Sequence, residues 1–479
     1  MSGAGPAWWP YLATALDVAV ALGTSAHIAL HKRDGRSAVA WLAAVWFWPF
    51  FGAAVYWMIG VNRIARRAVK LRGPQRFREE GEPTILGAYP GELADAPFLV
   101  YQANLIRRFH QAPFSVGNRV RPLRLGDAAY PEMLAAIGAA ERSVALASYI
   151  FNDDALGRRF VEALAAARAR GVEVRVLIDG IGALYSIPPV AWRLRGRGVR
   201  VERFLAPLIA WRMPYLNLRS HRKIMVVDGR IGFTGGMNIK RGHLLAEQPR
   251  FPTPDVHFRI DGPAVADLMS VFADDWAFTC GEQLSGPAWF PQLAPAGATV
   301  MRGVSSGPNE EYGSLRLTLM GALSQVRRSL RIATPYFLPD DVIVSQLCVA
   351  ALRGVAVDIV LPAVNNQFFV KWAETAALPA LLAAGCRIWY EAPPFDHAKL
   401  AVADDQWVLF GSSNWDTRSL RLNFEFDCEA FDQALAREIN ALLDAKIARA
   451  TPVTPEGLVA RGFVVRLRDG FARLLKPYL

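Results

Sequence analysis

His221-Arg222-Lys223-Ile224-Met225-Val226-Val227-Asp228 and, far downstream, His397-Ala398-Lys399-Leu400-Ala401-Val402-Ala403-Asp404 share one pattern, HxKxxxxD. Each copy leads into a small-residue turn that closes on asparagine: Gly235-Gly236-Met237-Asn238 in the first, Gly411-Ser412-Ser413-Asn414 in the second. The chain holds only seven histidines and eight lysines, so two such matches in register are not an accident of composition. The spacing has a physical meaning. Two residues apart on a strand, His and Lys point to the same side, so imidazole and ammonium share one pocket. The apolar residues between Lys and Asp bury the strand and hold it rigid.

Working outward, the flanking segments repeat as well. Arg142 to Phe151 (RSVALASYIF) lines up with Arg328 to Phe337 (RSLRIATPYF), and Arg170 to Leu177 (RGVEVRVL) lines up with Arg353 to Val360 (RGVAVDIV). Each copy reads as an apolar strand, a helical stretch (Asp154–Arg170 or Asp340–Arg353), a glycine stop and a Val/Ile/Leu-rich strand. The expected fold is α/β: two βαβ-rich halves related by a pseudo-two-fold axis, with a mostly parallel sheet covered on both faces. Gly180-Ile181-Gly182 and Gly196-Arg197-Gly198 lack the third glycine of a dinucleotide fingerprint and read as turns.

The duplicated residues suit phosphate chemistry. A compact ammonium fits a phosphate oxygen, and in a chain whose charge is almost all arginine each lysine marks a point charge. The glycine- and serine-rich turns can bring backbone N–H groups to the same phosphate. Two histidines facing each other across a dyad supply a nucleophile and a general acid/base. Metal ligation is the rival use of paired histidines. It is disfavoured, because a lysine beside each imidazole repels a cation and no Cys or carboxylate cluster adjoins. No metal or cofactor is expected.

At 479 residues the chain is long enough for two or three domains. Apolar residues make up 52 %, charged residues 20 %, and mean hydropathy is +0.17, which excludes intrinsic disorder. The four cysteines show no metal or disulfide spacing. A net charge of +11 invites an anionic partner, nucleic acid or an acidic lipid surface. Two stretches near the start favour lipid. Tyr11 to Leu30 carries one charge, Asp17, and Ser37 to Asn62 carries none. Each is long enough to cross a bilayer, and Asp17 is expected near a helix end or against a partner helix. Arg63, Arg66, Arg67, Lys70, Arg72 and Arg76 outnumber the basic residues of the connector, which places the body and the N-terminus in the cytoplasm. The expected organisation is a transmembrane hairpin over residues 1–70 with spans at about 11–30 and 38–60, a linker over 71–115, and catalytic halves over 116–290 and 291–479. Near the end, Gly457–Leu479 mixes Phe463, Leu467 and Phe471 with Arg466, Arg468 and Arg473. That pattern reads either as an interfacial amphipathic helix or as a closing helix of the second half.

The duplicated HxKxxxxD resembles the phospholipase D superfamily. Three further stretches resemble bacterial cardiolipin synthases of that type: Lys32 to Ser37 with Asn62-Arg63-Ile64, Thr334 to Asp340, and Gly411 to Ser419 running into Leu422-Asn423-Phe424-Glu425. The resemblance implies a membrane-bound phosphatidyltransferase of the bacterial inner membrane. It would join two phosphatidylglycerol molecules into cardiolipin and glycerol through a phosphatidyl-histidine, with no cofactor. It makes His221, Lys223, Asp228, His397, Lys399 and Asp404 catalytic, with His221 the nucleophile and His397 the acid/base. Gly235, Gly236, Asn238, Asp255, Ser412, Ser413, Asn414 and Glu425 would bind phosphate or orient a histidine, Glu425 for the second half and Asp255 for the first. The chain departs from the family at Lys240-Arg241-Gly242-His243, on the acceptor side, where an acidic, tyrosine-containing stretch is usual. His243 and His257 read as packing or surface residues. Alternatives are a phospholipase D-type hydrolase, a transphosphatidylase on another phospholipid, a nucleic-acid phosphodiesterase, and a non-catalytic lipid-binding protein. The membrane hairpin and the lack of a basic–aromatic strip argue against nucleic acid. Loss of His or Lys from one copy would mark the non-catalytic protein, and neither is lost.

Overall fold

The structure, a computed structural model, describes residues 8–32, 35–60, 97–107, 112–205, 218–307, 313–474 and 476. It divides into an N-terminal unit and a catalytic body.

In the N-terminal unit, α1 (Trp9–His31) is the one described helix long and apolar enough to cross a membrane. The second expected span is not one helix. α2 (Gly35–Phe47) stops at Trp48, α3 (Pro49–Val55) restarts there, and a π-helical turn, Tyr56–Gly60, follows. The cause is Pro49, which has no N–H to donate and whose ring crowds the preceding turn. The bend is tight: a Cβ on Gly52 would lie 2.2 Å from the Ala44 carbonyl oxygen. The pieces still pack on α1 through Ala21, Ile28, Val45 and Tyr56, with His27 Nδ1 2.8 Å from the Tyr56 hydroxyl. Asp17 sits mid-helix in α1 rather than at an end. The basic cluster Arg63–Arg76, on which the orientation depends, lies outside the described residues.

The body opens with α4 (Pro97–Arg107), β1 (Ser115–Arg124), α5 (Leu125–Ala139), β2 (Ser143–Ser148), α6 (Ala155–Ala169) and β3 (Glu173–Asp179). α7 (Val190–Gly196), β4 (Arg200–Phe204), β5 (Ile224–Val227), β6 (Ile231–Gly235), β7 (Val256–Asp261) and α8 (Val265–Cys280) complete the first half. The second half begins with β8 (Thr299–Ser306), α9 (Ser314–Gln325), β9 (Ser329–Ala333), β10 (Phe337–Leu338), α10 (Asp341–Leu352), β11 (Ala356–Pro362), α11 (Phe368–Ala383) and β12 (Arg387–Glu391). It continues with β13 (Leu400–Ala403), β14 (Trp407–Gly411), β15 (Trp415–Asp416), α12 (Thr417–Arg421), β16 (Glu425–Phe431), α13 (Gln433–Ile447), β17 (Ala450–Pro452), α14 (Pro455–Val459) and α15 (Phe463–Leu474).

The duplication is written in the strand order. Read inward from each edge, the halves run β4-β3-β2-β5-β6-β7 and β12-β11-β9-β13-β14-β16, and they meet at β1 and β8. β17 adds to the second edge. The sheet is not mostly parallel. In this sheet parallel pairing is confined to β2-β3-β4 and β9-β11-β12, where helices cross over, and the other neighbours are antiparallel. Turns as short as Asp228-Gly229-Arg230 and Asp404-Asp405-Gln406 leave no room for a crossover.

Aspartates start the helices inferred from the repeat: Asp154 accepts from Gly157 N–H, and Asp340 accepts from Val342 and Ile343 N–H. The supposed linker is corrected in its described part. α4 belongs to the second core, with Phe98 and Leu99 buried there and Gln102 donating to Thr318 O at 3.0 Å.

Candidate active site

His221 and His397 each bond across to the opposite half of the chain. The backbone N–H of His221 donates to Phe424 O, and that of His397 donates to Pro254 O, each at 2.8 Å. Phe424 precedes Glu425 and Pro254 precedes Asp255, so each link sets a carboxylate beside the opposite half's histidine. Nδ1 of His221 lies 2.9 Å from Glu425 Oε2, and Nδ1 of His397 lies 2.9 Å from Asp255 Oδ2. The pairing is crossed. Glu425 contacts the first half's histidine, and Asp255 the second half's. With Nδ1 engaged, Nε2 is the nitrogen left for chemistry.

Both lysines enter the same site. Lys223 Nζ donates to His221 O at 2.6 Å, and Lys399 Nζ donates to His397 O at 2.6 Å and lies 3.3 Å from His397 Nε2. Burial pushes Lys223 down to about 7 and Lys399 to about 8, against the pull of Glu425 and Asp255. An arriving phosphodiester anion would restore both charges. Burial likewise pushes His221 down to about 4, opposed by Glu425 and reinforced by Lys223 and Lys399. His397 is held well below its ordinary range by burial, then by Lys399, Lys240 and Lys223.

The two carboxylates differ. Burial pushes Asp255 up to about 7 in spite of Lys399. For Glu425 burial acts upward too, but the His221 imidazole, Lys223 and the Ser412 hydroxyl together hold it below the usual range. Glu425 is therefore an anion at neutral pH, whereas Asp255 retains a proton part of the time.

The turns pack tightly against the carboxylates. The amides of Gly236, Ser412, Ser413 and Asn414 are spent on Val256 O, Phe426 O, Asp427 and Ser419 Oγ, so these four are not offered to a phosphate. Ser412 Oγ donates to Glu425 Oε2 at 2.6 Å. Gly236 is needed for closeness: a Cβ there would lie 2.4 Å from Asp255 Oδ1. Gly235 has φ +146, open to glycine, and abuts His257. Asn238 Oδ1 accepts from Ile150 N–H at 3.0 Å, whereas the buried Asn414 Oδ1 has no partner among the described residues.

Asp228 and Asp404 are not catalytic. Each lies beyond the far end of its strand from the histidine, about 16 Å from the lysine at 3.3 Å per residue. Asp228 accepts from the backbone N–H of Glu141, Arg142 and Ser143, and Asp404 from Arg327, Arg328 and Ser329. They tie the hairpin to the start of β2 or β9.

Several site residues escaped the sequence reading. Tyr149 sits on His221 with ring centres 5.2 Å apart, and Tyr336 on His397 at 6.5 Å. Arg222 is wholly buried, bound to Asp275 at 2.6 Å, to Ser305 Oγ at 2.7 Å and to Glu425 O at 3.0 Å. It clamps the His221 strand to β8 and β16. The signal was present as a charged residue inside an apolar run. His243 takes the packing alternative: it is fully buried, its ring centre 6.4 Å from that of His397, with Nδ1 on Thr253 O at 2.7 Å. His257 is also buried, consistent with a packing role. Among the described residues no group of three His, Cys, Asp or Glu is arranged to hold a metal ion.

Comparisons with known proteins show the family. Residues 133–270 and 319–447 each match the family described as "Cardiolipin synthase, PLD-like domain". The chain is 31 % identical to cardiolipin synthase A of Pseudomonas fluorescens over 99 % of both chains. It is 29 % identical to the major cardiolipin synthase of Bacillus subtilis over 94 % of this chain and 95 % of that one. In fold it is similar to phosphatidylserine synthase of Haemophilus influenzae, with a TM-score of 0.61, 15 % identity, and coverage of 79 % of this chain and all of the other.

Proposed function

Because this chain belongs to the phospholipase D-like family of cardiolipin synthases, we infer that it is a phospholipid phosphatidyltransferase that joins two phosphatidylglycerol molecules into cardiolipin and glycerol. The observation that carries the reading is the crossed pair of histidine–carboxylate contacts, which presents two imidazoles and two lysines to one phosphodiester.

In the first step, Nε2 of His221 attacks phosphorus. Its lone pair forms the P–N bond while the P–O bond to the glycerol headgroup breaks. Glu425, an anion on Nδ1–H, stabilises the positive charge that develops on the ring. His397 protonates the departing glycerol oxygen from Nε2–H, and the Asp255 proton moves to Nδ1 behind it. Lys223 and Lys399 hold the non-bridging oxygens, supplying the positive charge that the transition state needs. In the second step the pair takes a proton from a hydroxyl of the second phosphatidylglycerol. That oxygen attacks phosphorus, the P–N bond breaks, and cardiolipin leaves. Atoms and charges balance without a nucleotide or metal.

The apolar helix α1 supports residence in a membrane, and it favours a lipid over a nucleic acid as the phosphodiester. A two-pass hairpin in the inner membrane with a cytoplasmic body is our reading of the sequence. Lipid mass spectrometry of the purified protein with phosphatidylglycerol vesicles tests the function. Cardiolipin and glycerol in equal amounts are expected. Phosphatidic acid as the main product would indicate a hydrolase instead.

A further inference from the structure

The loops that leave the C-terminal ends of β3 and β11 occupy equivalent places in the two halves, and both border the site. In the first half, Asp179 at the end of β3 accepts from Gly182 N–H at 2.9 Å and from Ser220 N–H at 2.8 Å, the residue before His221. Tyr185 in this loop lies 6.3 Å from Tyr149, which itself rests on His221. In the second half, Asn366 accepts from the Tyr336 hydroxyl at 2.6 Å, and Tyr336 rests on His397.

Both loops end in exposed apolar side chains. Ile187 is 94 % exposed, while Tyr185, Trp192, Val364, Phe368 and Phe369 range from 45 to 67 %. Scattered apolar residues are ordinary on a soluble surface; two clusters at dyad-related positions beside one site are not. Tyr and Trp at such a rim favour the boundary between water and hydrocarbon. The arginines beside the first loop are largely matched within the protein: Arg193 pairs with Asp153, Arg197 with Glu162 and Arg200 with Glu282. Beside the second loop, α15 docks on α11 with Arg468 4.2 Å over Trp372, leaving Phe463 and Phe471 outward with Arg466 and Arg473.

We propose that these two dyad-related apolar rims seat the catalytic mouth on the surface of an anionic phospholipid bilayer, so that a substrate phosphate reaches the two histidines while its acyl chains stay in lipid. The proposal rests on the phospholipid reading above. It explains why the feature is duplicated: donor and acceptor are both lipids, and each half offers one a path from the bilayer.

The test uses the full chain with Cys280 and Cys348 changed to alanine and a fluorophore attached at Ile187→Cys, Phe369→Cys or, as control, Glu173→Cys. Glu173 lies at the opposite end of β3, about 20 Å from Asp179 at 3.3 Å per residue. In phosphatidylglycerol vesicles bearing a nitroxide on the upper acyl chain, positions 187 and 369 should be quenched about fivefold more than position 173. Equal quenching at all three overturns the proposal, as does equal protection of 187 and 369 in lipid-free detergent through self-association. The variant Ile187→Ser/Trp192→Ser/Phe368→Ser/Phe369→Ser should turn over vesicle lipid about tenfold more slowly, yet match the wild type on monomeric short-chain phosphatidylglycerol. Unchanged vesicle turnover overturns the seating. A wild type inactive on both substrates counts against the function, and quenching then decides the seating alone.

Discussion

Nδ1 of His221 lies 2.9 Å from Oε2 of Glu425, a residue of the other half of the chain. The mirror contact, His397 with Asp255, spans the halves in the opposite sense at the same distance. Neither half therefore holds a complete site, and the duplication cannot be divided into two independent enzymes. Glu425→Gln should lower turnover by roughly 10²- to 10⁴-fold, because an amide can fix the wrong imidazole tautomer. The KM for phosphatidylglycerol should barely change, and Glu425→Asp should recover part of the rate. Steady-state kinetics on folded protein checks this. A loss confined to KM would count against the positioning role.

Asp404 receives three backbone N–H groups and touches no reacting group. Asp404→Ala leaves those donors unpaired at a cost of about 1–3 kcal/mol each at the buried limit. Thermal unfolding should shift down clearly, while the molecules that stay folded keep turnover within a few-fold of wild type. His397→Ala should do the reverse.

Arg222 Nη1 donates to both oxygens of Asp275, and both side chains are almost fully buried. Arg222→Ala strands the carboxylate and should destabilise the body by about 3–5 kcal/mol. Denaturant unfolding measures it. The paired change Arg222→Met/Asp275→Leu should recover much of the loss, since the cost lies in the unpaired charge.

Much of this was legible locally. The HxKxxxxD copies, the helices capped by Asp154 and Asp340, and the repeat of strand and helix all lie within short windows whose chemistry can be read directly. The crossed carboxylates were visible as candidates, but not their partners. Glu425 and His221 lie some two hundred residues apart and meet through contacts between the halves, which no local pattern encodes. The break at Pro49 stood in the sequence and was outweighed by the unbroken apolar run. The antiparallel centre followed from short turns that the βαβ pattern obscured. Asp228 and Asp404 misled because their spacing to the histidine is fixed by strand length, which serves architecture as well as it would serve chemistry.

The Asp255–His397 pair should govern the alkaline limb of activity. Burial raises Asp255 to about 7 in the folded protein, above an unfolded value of about 3.9. The proton is thus held below about pH 7 and lost as pH rises through it. The rate of the first step, read in a single turnover, should fall about tenfold per unit above that point. A rate flat to about pH 9 would contradict the relay. Linkage gives the same sign for stability: the raised pKa contributes stability below about 3.9 and loses it as pH rises through about 7. Asp255→Asn should therefore compare better with wild type in unfolding at pH 8 than at pH 5.

On the proposed route His221 carries the phosphatidyl group between donor and acceptor. Rapid acid-free quenching of the enzyme with labelled phosphatidylglycerol, followed by digestion and mass spectrometry, tests it most directly. The expected result is a phosphatidyl adduct on the peptide containing His221, absent from His221→Ala and accumulating in a variant slowed in the second step. An adduct on the His397 peptide, or full cardiolipin synthesis by His221→Ala, would contradict it.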